Sequence, residues 1–155
     1  MNGWDLKRRE AETRPLLNTM RRMLQASRES PISPLLLRLI LAQNPAPLPR
    51  AIWEWARDNV RYHREDPHVV ASLPELINAP VGDCNDYAVA MAALGMAGQY
   101  PARFALGYDS RRVPVHVWTQ LWDGSRWVDV DPTPGAPPPG EGSPVDVPGA
   151  SVVGF

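Results

Sequence analysis

The sequence predicts an α+β fold in which a central, cysteine-bearing helix packs on an antiparallel sheet, with extra helices at the amino-terminal end. Two observations carry this. Gly82-Asp83-Cys84-Asn85-Asp86 runs directly into Tyr87-Ala88-Val89-Ala90-Met91-Ala92-Ala93-Leu94, an apolar stretch that reads as a buried helix starting at the cysteine. Beyond it, residues 102–108, 115–122 and 125–131 read as strands, and Asp123-Gly124 between the last two is a strong hairpin signal.

Taken in order, residues 4–28 read as helix with a restart at Pro15, because proline suits a first helical turn. Leu16, Leu17, Met20, Met23, Leu24 and Ser27 share one stripe at helical spacing, which serves either the chain's own core or a partner. Ser30-Pro31-Ile32-Ser33-Pro34 is a break. A short helix over 33–42 is apolar almost all round, hence buried or in an interface. Residues 48–62 form an amphipathic helix with Ile52, Trp55, Ala56 and Val60 inward, leaving in extended form at Arg61-Tyr62-His63. Residues 64–81 are a loop, interrupted by Pro67, Pro74 and Pro80, with one helical turn at 73–77.

Gly98 stops the cysteine helix. Its small residues (Ala88, Ala90, Ala92, Ala93, Gly95, Ala97) allow close approach to the sheet. Residues 134–155 are rich in proline and glycine and bury too little to offset their chain entropy. They read as a tail, or as an arm docking on a neighbouring subunit. The division is therefore 1–47 helical extension, 48–133 core and 134–155 tail, with the front helices and the tail as the parts available for homo- or hetero-oligomeric assembly.

Composition narrows the function. An apolar fraction of 44% is ordinary for a globular protein, and a single cysteine excludes an internal disulfide. The first residues lack a signal pattern, and the greasiest run, 34–42, falls far short of the ~20 residues that span a bilayer. The expectation is a soluble, cytoplasmic protein that does not engage membranes. Residues 1–64 carry 12 Lys/Arg against 6 Asp/Glu, and residues 65–155 carry 4 against 11. The arginines interleave with apolar residues and no reading motif accompanies them. Docking on an acidic surface is expected, and nucleic acid is not. His63 and His68 read as loop histidines, and nothing has metal-ligand spacing, so neither metal nor cofactor is expected.

Cys84 stands at the first helical turn, where unpaired N–H groups and the macrodipole favour a thiolate. Asp83 and Asp86 beside it oppose that charge. If Asp123-Gly124 forms a two-residue type I′ loop, Trp122 faces Ser125. Counting back sets His116 directly opposite Asp131, with Trp118 facing Asp129 and Gln120 facing Trp127. Opposed Cβ atoms are roughly 4.5–5.5 Å apart, so the carboxylate can hold the imidazole. Cysteine, histidine and an orienting carboxylate are the parts of nucleophilic acyl transfer. Backbone N–H groups near Cys84 would hold the oxyanion, with Tyr62 and Trp118 as suggested second donors.

Gly-Asp-Cys-Asn-Asp-Tyr-Ala, then Tyr100-Pro101-Ala102-Arg103-Phe104-Ala105-Leu106-Gly107-Tyr108, His116-Val117-Trp118 and Trp127-Val128-Asp129-Val130-Asp131-Pro132-Thr133, resemble the transglutaminase-like superfamily of papain-type cysteine enzymes. The resemblance starts near Ala51 and ends at Thr133. It implies Cys84 as nucleophile, His116 as base, Asp131 as orienting acid, and a protein or peptide substrate. Its implied outcome is a peptidase or amidase rather than a cross-linking enzyme. The Gly-Asp-Cys-Asn-Asp variant is similar to small bacterial and prophage members, which adds a virion or phage-tail setting and an alternative as a catalytically idle assembly protein. Gln99-Tyr100 departs from the Gly-Ile usual in the family before Pro-Ala-Arg.

Overall fold

The computed structural model describes residues 6–64, 69–112, 114–145 and 149–155, with side chains from residue 13 onward; His68 and Pro67 lie outside the described residues. The helices are α1 (Leu6–Glu29), α2 (Ile32–Gln43), α3 (Leu48–Asn59), α4 (Leu73–Asn78) and α5 (Cys84–Ala97). The strands are β1 (Arg61–Tyr62), β2 (Val81–Gly82), β3 (Ala102–Tyr108), β4 (Pro114–Trp122), β5 (Trp127–Val130) and β6 (Ser151–Gly154). Helix α5 is buried from Asn85 to Gly95, with α1 to α4 and strands β3 and β4 packed against it. The sheet runs β5-β4-β3-β6, antiparallel throughout, while β1 and β2 make a short parallel pair. No helix among the described residues is long and apolar enough to cross a membrane.

Two cores flank α5. Ile52, Ala56, Leu76, Met91, Leu94, Leu121 and Val130 fill one, and Leu17, Met20, Val89, Phe104, Leu106 and Val117 the other. The stripe on α1 therefore covers the chain's own core. The helix also runs unbroken through Pro15, so the expected restart does not occur. An interior proline costs about 3 kcal/mol, but burying Leu17 and Met20 one turn on returns about 1.5–3 kcal/mol each. On α3 the buried tryptophan is Trp53, and Trp55, expected inward, packs only partly against the core.

The contact between α5 and β4 depends on small residues. A Cβ on Gly95 would stand 2.4 Å from Leu121 Cδ2. Nearer the cysteine, the buried Thr119 hydroxyl donates to the Ala88 carbonyl at 2.6 Å, so strand and helix are bonded as well as packed. At the far end of α5, Gln99 adopts φ +71, a left-handed conformation that the glycine usual in the resembling family would take without cost.

Two further expectations are corrected. The observed β4–β5 pairs are Trp122↔Trp127, Leu121↔Val128, Gln120↔Asp129 and Thr119↔Val130, so the turn sits one residue further on and every pair shifts by two. The cause is Asp123, whose Oδ1 accepts from Ser125 N, Ser125 Oγ and Arg126 N and builds the turn around itself. His116 is thus not directly opposite Asp131, nor Trp118 opposite Asp129, nor Gln120 opposite Trp127. An even shift keeps each side chain on its face, so His116 and Asp131 remain neighbours on the diagonal. The second correction concerns the tail. Residues 151–154 pair with β3 of the same chain, and Val145 packs with Ala105 and Trp118 on the sheet face away from α5. A Cβ on Gly107 would meet Val145 Cγ2 at 2.4 Å, so glycine is what lets this segment lie flat.

Candidate active site

Cys84 is held by its own neighbours. Asp83 is the N-cap of α5, with Oδ1 accepting the N–H of Asn85 at 3.0 Å, and Asp86 Oδ2 accepts the N–H of Asp83 at 2.9 Å. Asp86 Oδ1 takes the N–H of Ala71 at 2.7 Å, fastening the helix start to the loop before α4. The capping box uses the N–H groups of Asn85 and Asp86. Among the described residues no acceptor takes the N–H of Cys84 itself. Both carboxyl groups are buried. Burial first, then the neighbouring charge of Asp86, push the Asp83 carboxyl up to about 7. Their opposition to a thiolate is therefore smaller near neutral pH than two full charges would make it. The half-buried thiol also donates to Asn85 Oδ1 at 3.7 Å.

On β4, His116 Nε2 lies 2.5 Å from Oδ2 of Asp131. The buried Asp131 is fixed on three sides. Its Oδ1 accepts the Thr133 N–H at 3.1 Å and the Thr133 hydroxyl at 2.7 Å, and its backbone carbonyl accepts the indole N–H of Trp53 at 2.8 Å. Cys84 is the other group that acts on the imidazole and raises its pKa, which sets the sulfur beside the ring. With Nε2 turned to Asp131, Nδ1 is the nitrogen left for the sulfur. Burial alone would lower the pKa of this imidazole, but hydrogen bonds to Asp131 and Cys84, and their charges, outweigh it and bring it up to about 10. The structure thus brings Cys84, His116 and Asp131 together.

The two suggested oxyanion donors fare differently. Trp118 is excluded: its Nε1–H goes to Asp129 Oδ1 at 2.7 Å and its ring is buried. The ring instead stacks on the imidazole, with centroids 5.5 Å apart and 25° between planes. Tyr62 stacks on Tyr87 at 6.2 Å, and its hydroxyl has no partner among the described residues. Burial raises its pKa, and negative charge at Cys84 and Asp83 raises it further, which places the phenol within reach of their fields. Trp53, which holds the Asp131 carbonyl, escaped the sequence reading. Trp53 is 78 positions from its acceptor, with no local signal to betray it.

The sequence model of the transglutaminase-like superfamily matches residues 39–132, more than half of the chain. The chain belongs to the transglutaminase-like superfamily. Among solved structures, this transglutaminase-like chain is similar to a candidate cysteine protease from Cytophaga hutchinsonii (24% identity, TM-score 0.53), covering 79% of this chain and 47% of that one. It is also similar to a candidate protease from Parabacteroides distasonis (11% identity, TM-score 0.60), covering 74% of this chain and 25% of that one. It spans about half of the first and a quarter of the second, and at these identities the likeness is one of fold. No curated protein matches the sequence.

Proposed function

We propose that the protein hydrolyses amide bonds of protein or peptide substrates through a thioester on Cys84. The observation that carries this is one imidazole bonded through Nε2 to a buried carboxylate, with a helix-start cysteine close enough to raise its pKa. In the thiolate–imidazolium form, Cys84 Sγ adds to the carbonyl carbon. The oxyanion meets the uncommitted N–H of Cys84, with the Tyr62 hydroxyl as second donor. His116 passes its proton to the departing amine as the C–N bond breaks, leaving the thioester. Water then attacks, His116 takes a proton from it, and the C–S bond breaks to release the acid and restore the ion pair. Asp131 keeps Nε2 occupied, so that Nδ1 faces the sulfur. That both fold neighbours are described as candidate proteases supports hydrolysis over cross-linking.

Cys84→Ala should abolish peptide cleavage and iodoacetamide labelling together. Retained cleavage refutes the nucleophile, and incorporation of a labelled primary amine in place of hydrolysis makes the enzyme a cross-linker. A second reading, a phage-tail or other assembly protein with idle chemistry, is favoured by Leu35 and Leu39, one turn apart on α2 and 54% and 55% exposed. Ring or filament formation in sedimentation, with no labelling of Cys84, would select it.

A further inference from the structure

A cavity of about 440 Å³ opens between α1 and the end of the sheet where β3 meets β4. Arg14 and Arg21 line it from α1, two turns apart, and Arg112 from the loop after β3. Leu17, Tyr108, Pro114 and Phe155 add apolar and aromatic surface, and Thr13 completes the lining. Like charges converging on one concavity repel each other unless an anion joins them. Among the described residues none of the three guanidinium groups is paired with a carboxylate, and the nearby Asp109 is bonded to Arg111. Pro114 pairs with Tyr108 and stands two residues before His116, about 7 Å away along a strand. The cavity therefore adjoins the element that carries the imidazole.

We propose that this cavity docks an acidic peptide segment, with carboxylate side chains on the three arginines and apolar neighbours against Leu17, Tyr108 and Phe155. The concave shape and mixed lining favour peptide over nucleic acid, which is met by extended basic stripes with several stacking rings. Guanidinium forks suit carboxylates because they bond both oxygens at once. The acidic peptide being the substrate rests on the reading of Cys84 as nucleophile; the docking itself does not.

The test is fluorescence anisotropy with a dye-labelled peptide of alternating Glu and Leu, its Lys-for-Glu counterpart, and a single-stranded oligonucleotide of equal charge. The Glu peptide should bind the full chain and its Cys84→Ala variant equally, and weaken as salt rises. Arg14→Gln with Arg21→Gln, both exposed positions where Gln keeps a helix, should lower affinity about tenfold or more. Arg112→Asn, which tolerates the φ of +61 found there, should act in the same direction. Equal binding of the Lys peptide, undiminished binding in both sets of variants, or tighter binding of the oligonucleotide would overturn the proposal. Cleavage surviving in Cys84→Ala while the peptide still docks would overturn only the reading of the active site.

Discussion

The two sides of the imidazole are held by different kinds of structure. On the cysteine side four consecutive residues suffice: Asp83 caps the helix, Asp86 closes the box, and Asn85 lies beside the sulfur. On the carboxylate side nearly every partner is remote. Asp131 meets His116 across 15 positions and Trp53 across 78, and only Thr133 is near in sequence. A capping box forms as soon as its helix does, whereas the His–Asp contact needs the hairpin register and the docking of α3. The nucleophile is thus placed by local structure and its orienting acid by the whole fold. Thr119, bonding β4 to α5, joins the two sides.

Breaking the remote side should have the largest effect. Asp131→Asn should lower kcat for peptide cleavage on the order of 10³- to 10⁴-fold, because an amide cannot hold the imidazolium. A loss within tenfold in steady-state kinetics would make the pair structural only. Trp53→Phe comes next. It keeps a ring in the core but strips the Asp131 carbonyl of its donor, for a loss of about 1–3 kcal/mol in urea unfolding. A matching fall in kcat is the mark of positioning; unchanged stability would contradict the contact. Thr119→Val should cost about 1 kcal/mol, since the Ala88 carbonyl keeps its helical bond.

The pH dependence of stability separates the two sides more finely. His116 binds its proton more tightly folded, so its contribution is full below its ordinary 6.5 and is lost as pH rises through about 10. Asp83 likewise holds its proton more tightly folded; that contribution is full below 3.8 and is lost as pH rises to about 7. Urea midpoints should therefore fall in two steps toward alkaline pH. His116→Gln should remove the upper step. Asp83→Asn, an equally good cap costing only a few tenths of a kcal/mol, should remove the lower. A midpoint that is flat from neutral pH to 10 would show that the imidazole is not held by charge.

What could be read in the chain follows the same division. The start of α5 and both ends of β3 lie where periodicity and capping residues place them. The turn after β4 was misplaced by one residue because Asp123 acts through its side chain, bonding three groups that a pattern of residue types does not show. The His–Asp proximity outlasted that error because strand faces alternate with a period of two. Strand β6 was illegible, since a proline-rich segment looks like tail until the open edge of β3 offers its ladder partners.

By itself the sequence determined the cysteine-capped helix, the alternation of the strands and which side chains share a face, all properties of neighbours along the chain. Tertiary structure alone decided the removal of Trp118 from the oxyanion donors, the grip of Trp53 on Asp131 and the pairing of the tail. Each of these is a hydrogen bond between distant segments, and such a bond has no counterpart in local propensity.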